Sequence, residues 1–385
     1  MSDRIALPNP SRLAWCMHDR ELTRADLAKS AGVRDSVLEA ALSGEPALTI
    51  KQLGDLAKAL DKDMLFFLEP QDVDEANAHT PQFRTLANQK PEMSQNLRRL
   101  IERVERQRET YLHLRDELGD DSGVDAFNPP VLANLTVEKK AAAARQWLGL
   151  HDGKNTFTTY RDAIEARGIL VIRSNGYAGP WQIGKESPIL GFSLFDTRCP
   201  VIVVKKQASE AQLCFTLMHE LAHVLLHKTS TVDDKSDLYS YQGMEQEANA
   251  FAGFLLVPTA FLTAIDARLR PSHVAEYEQW LAPQVKSWGI STEVVLRRLL
   301  DTQRLPQALY SDYRAWVKQR VVVPIDGQAV RHRFSEPRHV FGSAYVRTVI
   351  GALSAREITL SKASAYLDNL KIDDLHKLEK YYANP

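Results

Sequence analysis

The sequence is short of cysteine, of long apolar runs and of net charge, and each shortage excludes a class of protein. Its 385 residues include only three cysteines, too few and too scattered for a disulfide framework or a cysteine-based zinc site. No secretory or membrane-spanning apolar segment is visible, so we expect a soluble, cytoplasmic protein without a membrane partner. The net charge of -1 argues against a chain that coats nucleic acid along its whole length.

What remains is the composition of an ordinary globular protein, 44% hydrophobic and 25% charged, with a length that allows about two or three domains. Most of the chain shows apolar residues at helical spacing. Three short β-branched runs predict strands of a small sheet instead, at 168–174, 188–195 and 200–206. The sequence therefore predicts a mostly helical α+β chain.

Residues 1–70 carry short helical patterns separated by small gaps, which predict a bundle of five helices. Thr23 is placed to cap the second helix and Gly32 to end it, and Val33 and Leu38 restore an apolar face after a tight turn. This spacing is typical of a helix-turn-helix. The segment resembles the XRE-type (Cro-like) helix-turn-helix domain, and the resemblance implies operator DNA as a partner.

The charge of this N-terminal segment does not favour DNA. The presumed recognition helix would present Arg34, Ser36 and Glu39 to a major groove. However, residues 1–70 contain nine Lys and Arg against eleven Asp and Glu, and affinity for DNA depends mainly on cations that face phosphates. Sequence-specific DNA binding and protein contact therefore both stay open, and the charged helix that follows from Asn96 offers a surface for a homodimer.

The stretch FTLMHELAHVLLH, residues 215–227, places two histidines and a glutamate in an otherwise apolar helical run. Buried ionisable groups are costly unless they are paired or bound to a metal. His219 and His223 lie about 40° apart around a helix axis, so both imidazoles face one point. Zinc accepts two such imidazoles with a third protein ligand, and Glu220 between them is suited to act as a general base. Two core histidines held by hydrogen bonds are the alternative.

A third ligand is expected on the later helix MEQEANAFAGFLLVP, residues 244–258. Glu245 shares a helical face with Ala248 and Ala252, small residues that allow close approach to the HELAH helix. Glu247 points about 200° away from Glu245, so we favour Glu245 as the acidic ligand.

Four other residues near the motif are weaker candidates. Tyr239 and Tyr241, in the connection between the two helices, are candidate oxyanion stabilisers, although surface tyrosines are the more ordinary interpretation. His227 is expected to support the ligands or to end the helix. Cys199 precedes a strand that leads to the site. Its thiol could reach the metal, but we favour the interpretation that it is inert.

The stretches at 191–227 and 245–258 together resemble the ImmA/IrrE family of metallo-endopeptidases, and the resemblance covers residues 155–260. The resemblance implies one Zn²⁺ per chain, held by His219, His223 and Glu245. It also implies that Glu220 acts as the general base. The family commonly has Asn where this chain has Lys205. Manganese and iron suit the same ligands chemically.

We therefore predict a five-helix helix-turn-helix bundle, followed by a zincin-like metallopeptidase domain with a small β-sheet and a mainly helical C-terminal region. The four predicted regions are the bundle, a linker with charged helices, the peptidase core and the C-terminal regulatory region: 1–70, 71–150, 151–262 and 263–385. The last of these contains a basic stretch, RHRFSEPRH, at 331–339.

The predicted function is that of a regulatory zinc metallo-endopeptidase with a narrow protein substrate, such as a repressor or a toxin. The resemblance places such proteins in stress, phage-defence or mobile-element control. Two alternatives stay open: a non-proteolytic transcriptional regulator or antitoxin that uses the peptidase fold as a binding module, and self-cleavage near residues 70–95.

Overall fold

The computed structural model describes most of the chain, namely residues 4–20, 22–60, 62–74, 86, 93–119, 126–174, 179–184, 186–207, 209–234, 236–240, 242–319 and 333–383. The chain divides into two compact units. One consists of Met1–Ala87 with Pro91–Glu102, and the other of Asn88–Lys90 with Arg103–Pro385. Among the described residues, no helix is both long and apolar enough to cross a membrane.

The first unit is mostly helical over its described residues, with one isolated antiparallel β-bridge between Ile5 and Leu48. Its elements are α1 (Ser11–Asp19), α2 (Arg24–Ala31), α3 (Asp35–Leu42), α4 (Ile50–Ala59) and a short 3-10 helix, Leu65–Leu68. The last apolar stretch, expected as a fifth helix, is therefore a single 3-10 turn. Each element contributes apolar side chains to one core, among them Leu13, Leu27, Leu38, Leu53 and Phe67.

Local sequence explains where α2 begins and ends. The Thr23 side chain accepts a hydrogen bond from the Asp26 backbone, and the Asp26 carboxylate accepts one from the Thr23 backbone, which together form a capping box. Gly32 has a φ of +64°, in the left-handed region that favours glycine at the end of a helix. Both features are as predicted, and α3 starts three residues beyond Gly32.

The second unit contains the sheet and most of the helices. Helix α5 (Gln95–Glu117) begins in the first unit and ends in the second. The further α-helices described in the second unit are α6 (Val137–Trp147), α7 (Phe157–Glu165), α8 (Glu210–Ala222), α9 (Gly243–Leu256), α10 (Tyr277–Trp288), α11 (Thr292–Asp301), α12 (Gln307–Lys318), α13 (Glu336–Ser354), α14 (Leu360–Tyr366) and α15 (Ile372–Ala383). The described part of the C-terminal region is thus mostly helical, while residues 331 and 332 of the basic stretch lie outside the described part of the chain.

A four-stranded mixed sheet lies in the second unit. Its strands are β1 (Leu170–Ser174), β2 (Ile189–Leu194), β3 (Val201–Lys205) and β4 (Thr231–Asp234), in the spatial order β1-β3-β2-β4. β1 and β3 are parallel, and β2 runs antiparallel to β3 and β4. The three predicted strands are confirmed. β4 is not predicted, because its sequence TVDD is short and aspartate is depleted in strands.

The helices pack around the sheet so that the HELAH segment is enclosed. α8 contacts both β3 and β2, and α9 packs against α8 and α6. Leu217, Met218 and Leu221 of α8 are completely buried in this core. Helix α8 therefore contacts the sheet and α9 at once, which allows side chains from all three to meet.

Candidate metal centre

The two histidines and the glutamate of HELAH are fully buried at the end of α8. His219, Glu220 and His223 are each 0% exposed. The Nε2 atoms of His219 and His223 lie 3.1 Å apart, so both rings face one point, as their spacing predicts. The helix continues as one π turn, His223–His227, and ends at Lys228 with a φ of 49°.

Glu245, in the first turn of α9, faces the two imidazoles. Its Oε2 atom lies 3.2 Å from His219 Nε2 and 3.6 Å from His223 Nε2. Ala248 and Ala252 on the same helix are completely buried, consistent with the close approach of α9 to α8 that small residues permit. The structure thus brings the three predicted ligands together.

Asp233 of β4 is a fourth member of the cluster, and the sequence pattern does not predict it. Its Oδ2 atom lies 3.4 Å from His223 Nε2 and 3.7 Å from His219 Nε2. One ligand atom from each of His219, His223, Asp233 and Glu245 lies within 4.8 Å of the others. Asp233 reaches this point through the pairing of β4 with β2, a long-range register that local periodicity does not report. The local signal is only a pair of aspartates after buried Val232.

The cluster has the dimensions and the unsatisfied charge of a divalent metal site. Bonds of about 2.0–2.2 Å in a tetrahedral zinc site separate neighbouring ligand atoms by about 3.3–3.6 Å. The separations that involve a histidine nitrogen run from 3.1 to 3.7 Å. Both carboxylate oxygens of Glu220, Oδ2 of Asp233 and Oε2 of Glu245 are buried with no hydrogen-bond partner among the described residues. Buried carboxylates are costly without a compensating charge, and a cation would compensate them.

The second ring nitrogen of His219 is held by an amide. His219 Nδ1 lies 2.9 Å from Asn249 Oδ1. The Asn249 amide nitrogen donates to the carbonyl oxygens of Asp237 and Ser240, which fixes the orientation of the amide. His219 Nδ1 must therefore carry the proton and donate it, so its Nε2 lone pair faces the cluster. The sequence pattern places Asn249 on this helix face but does not predict its contact.

A chain of contacts holds the second ring nitrogen of His223. His223 Nδ1 and His227 Nδ1 lie 3.0 Å apart, His227 Nε2 lies 3.4 Å from Glu247 Oε2, and Lys140 Nζ donates to Glu247 Oε1 over 2.7 Å. If His223 Nε2 is to bind a metal, its Nδ1 donates to His227, whose Nε2 then donates to Glu247. Burial and the neighbouring His223 lower the pKa of His227, which favours the neutral ring that this arrangement needs. Glu247 thus supports a ligand and lies outside the cluster.

Glu220 lies against the sheet rather than among the ligands. A methyl group built on Gly191 of β2 would come within 2.5 Å of Glu220 Oε1, so the carboxylate occupies the space that the missing side chain leaves. Burial raises the pKa of Glu220 well above its usual value, and the charges of Asp233 and Glu245 raise it further. A general base works best when its pKa lies near the working pH, and this environment moves Glu220 in that direction.

The other two carboxylates respond to their surroundings in opposite directions. Burial raises the pKa of Asp233 to about 6, against the opposing effect of His223. Burial acts to raise the pKa of Glu245 as well, but the facing imidazoles of His219 and His223 outweigh it and the pKa of Glu245 is lowered. Glu245 is therefore the carboxylate that is ionised most readily as a ligand.

The metal-ligand cluster of the described residues does not include the weaker candidates, and Tyr241 lies outside the described residues. Tyr239 ends a 3-10 helix, Asp237–Tyr239, in the connection between β4 and α9, and Tyr241 lies outside the described residues. Cys199 is 1% exposed, and burial raises the pKa of its thiol to about 12, as expected for an inert cysteine. Lys205 donates to the backbone oxygens of Gly184 and Ser187, where it holds the segment before β2.

The predicted DNA-contacting residues are exposed on α3 and on the residue before it. Arg34 precedes the helix, and Ser36 and Glu39 are exposed on it. Arg24 of α2 pairs with Asp35 at 2.7 Å and with Glu39 at 3.2 Å, so part of the positive charge beside α3 is already neutralised.

Part of the chain is similar to a peptidase family, and part of it to a phage protein. Residues 164–300 match a peptidase family described as the IrrE N-terminal-like domain, and this segment contains the sheet, α8 and α9. A stretch of 81 residues is 36% identical to the "Uncharacterized immunity region protein 2" of Bacillus phage phi105, over 20% of this chain and 50% of that protein. The chain thus spans about half the length of this curated relative.

Proposed function

We propose that this chain is a zinc-dependent metallo-endopeptidase that cleaves one or a few regulatory proteins. The observation that carries the proposal is the buried cluster of His219, His223 and Glu245 with Glu220 beside it, inside the segment that matches a peptidase family. Two imidazoles and a carboxylate are the donor set that zinc takes in many hydrolases. The fit of these interatomic separations to a tetrahedral site supports one zinc ion per chain.

The residues of the chain divide the chemistry among them. His219, His223 and Glu245 would hold the zinc ion, which would supply Lewis acidity at the site when bound. Glu220 accepts the proton of the attacking water at a carboxylate oxygen and delivers it to the leaving amine. Asn249 and His227 hold the two imidazoles in the tautomer that leaves Nε2 unprotonated.

The sheet offers a place for an extended substrate. β4 pairs with β2 on one side and stands at the end of the strand order. A polypeptide that added to β4 as a further strand would align its backbone beside the cluster, since Asp233 belongs to this strand. The expected substrate is thus a segment of a repressor, toxin or other regulator that becomes extended.

The N-terminal unit would supply a second contact. Operator DNA and a partner protein are both proposed targets of α3. The slightly negative charge of residues 1–70 does not favour DNA, so the two targets stay open. The match to an immunity-region protein of a phage supports a role in regulation rather than in general digestion. A regulator has few targets, so weak cleavage of generic peptides is expected.

The test is cleavage by the zinc-loaded full chain of proteins encoded beside it, read by intact-mass spectrometry. Glu220→Gln is the matched variant, because it keeps the volume of the side chain and all three proposed ligands. We expect cleavage by the wild type and none by the variant, with equal zinc content in both. If the variant keeps the full biological effect, the chain acts as a non-proteolytic regulator or antitoxin and the proposal fails.

A further inference from the structure

Asp233 occupies the corner of the cluster that a catalytic metal site ordinarily leaves open. Catalytic zinc sites have three protein ligands and one open position, whereas structural sites are closed by four. Here Asp233 Oδ2 lies 3.4 Å and 3.7 Å from the two imidazole Nε2 atoms, and Glu245 Oε2 lies 3.2 Å and 3.6 Å from them. The two carboxylates therefore stand in equivalent relation to the histidines.

The Asp233 carboxylate interacts with that of Glu220, which cannot donate a hydrogen bond to it when both are ionised. The side chain is 4% exposed, and Oδ2 has no hydrogen-bond partner among the described residues. A buried carboxylate oxygen without a donor carries the full cost of its desolvation. A metal ion held jointly with Glu245 would compensate that cost.

A β-bulge in the sheet places Asp233 at this point. Asp234 pairs with Ile189 and Asp233 pairs with Gly191, so Leu190 is an extra residue in β2. Bulges redirect side chains and are common beside functional sites. Residues directly opposite on paired strands share a face of the sheet, and Gly191 faces Glu220. The bulge therefore presents Asp233 on the face where Glu220 and the ligands lie, and glycine leaves room for both carboxylates.

We propose that Asp233 is a fourth protein ligand, which closes the metal centre and holds the peptidase inactive until this carboxylate leaves. The inference rests on the proposed function, because a closed site has a regulatory meaning only if the open site is catalytic. β4 has four residues and pairs through β2, so moving it breaks few hydrogen bonds of the sheet. A regulator or substrate that pairs with β4 is thus positioned to displace Asp233.

The experiment measures metal binding rather than activity. Wild type, Asp233→Ala, Asp233→Asn and Asp373→Ala are loaded with Zn²⁺ alone in a chelator competition, and with Co²⁺ alone for absorption spectra during an azide titration. Asp373→Ala is the matched control, because it makes the same change at an exposed aspartate of α15, outside the cluster. Circular dichroism verifies the fold of each variant, and Asp233→Asn decides the question if the alanine variant does not fold.

We expect both Asp233 variants to bind Zn²⁺ at least about tenfold more weakly than wild type, a loss no smaller than that of an outer-shell partner. We also expect azide to change their Co²⁺ spectra at concentrations about tenfold or more below those that wild type needs, since a position has opened. Asp373→Ala should behave as wild type. Wild-type affinity and wild-type azide response in the Asp233 variants would overturn the inference and leave the peptidase proposal intact. Failure of the wild type to take up either metal would overturn both.

Discussion

At the scale of single residues, Gly191 is required because the Glu220 carboxylate occupies the space that a side chain at this position would fill. A methyl group at this position would lie 2.5 Å from Glu220 Oε1 and 3.0 Å from the Val203 carbonyl oxygen. Gly191→Ala should therefore push the Glu220 carboxylate aside while the histidine ligands keep their places. We expect the variant to retain zinc, to lose about 1–3 kcal/mol of stability through overpacking, and to cleave substrate at least about 100-fold more slowly. Elemental analysis, urea unfolding and cleavage assays measure the three effects.

Gly351→Ala is the matched control for this change. It lies in α13, where an added methyl group would meet Leu118 Cδ1 at an ordinary 3.7 Å, so cleavage should be unaffected. Equal cleavage by wild type and Gly191→Ala would show that Glu220 does not depend on this glycine.

His227 is expected to act through His223 rather than on the metal directly. Its Nδ1 lies 3.0 Å from His223 Nδ1, and its loss would remove the partner that orients the ligand. We expect His227→Ala to weaken zinc binding by about 10- to 100-fold, as other outer-shell partners do. His151→Ala is the control, because His151 is exposed in a loop of the same unit. Chelator competition measures both affinities, and equal values for both variants would contradict the role of His227.

The residues of the site differ in how far the sequence predicts them, for a physical reason. His219, Glu220 and His223 are neighbours on one helix, so helical geometry alone places them together. Glu245 follows from the face of a second helix. Asp233 and Gly191 meet the site through strand pairing and a bulge, which depend on the register of β4 against β2 and leave no local pattern.

At the scale of elements, a break in α13 is held by two residues of α7. Gly342 has a φ of +86° inside the helix, which interrupts its hydrogen bonds. Arg161 donates to the carbonyl oxygens of His339 and Val340 before the break, and Glu165 accepts from the Ala344 backbone after it. Arg161 and Glu165 also pair with each other at 3.0 Å, fully buried. The Arg161–Glu165 pair therefore gives hydrogen-bond partners to backbone carbonyl groups before the break and to a backbone N–H group after it.

Removing the Arg161 side chain should destabilise the second unit strongly. Arg161→Leu would leave Glu165 as an uncompensated buried charge and several carbonyl oxygens without a donor, so we expect a loss of about 3–5 kcal/mol. The free energy of unfolding in urea measures it. Arg268→Leu should leave the unfolding midpoint unchanged, because Arg268 is exposed and pairs only with nearby Asp266 among the contacts described for it. A small effect of Arg161→Leu would show that water reaches the break.

The sequence predicts elements best where local signals agree. The three strands of β-branched residues and the capped helix α2 lie where the patterns place them. β4 escapes prediction because its aspartates disfavour a strand and only pairing with β2 forms it. The stretch at Leu65–Leu68 has the apolar residues of a helix but only four of them, too few for more than a 3-10 turn.

At the scale of the whole molecule, each compact unit has its own apolar core and at least one buried thiol. Cys16 is fully buried in the core of the first unit, and Cys214 in that of the second, where Cys199 is also buried. Burial raises the pKa of Cys16 to about 11 and those of Cys199 and Cys214 to about 12. Because the thiolate is the reactive form, the folded chain should be nearly inert to alkylation at neutral pH.

These thiols allow unfolding of the two units to be followed separately. We expect iodoacetamide pulses at pH 8 to label no cysteine of the native chain. As urea unfolds the chain, we expect Cys16 to become labelled along one curve and Cys199 and Cys214 along a second, distinct curve. Peptide mass spectrometry resolves the labelled cysteines. The folded thiols bind their protons more tightly than the unfolded ones, whose pKa is 9.0. The protonated thiols therefore stabilise the folded chain fully below about pH 9, and this stabilisation is lost as the pH rises toward about 12. When unfolding is carried out at increasing pH within that window, the midpoints of both curves should shift to lower urea concentrations. Rapid labelling of Cys199 in the native chain would contradict its burial and reopen the thiol as a group that reaches the metal centre.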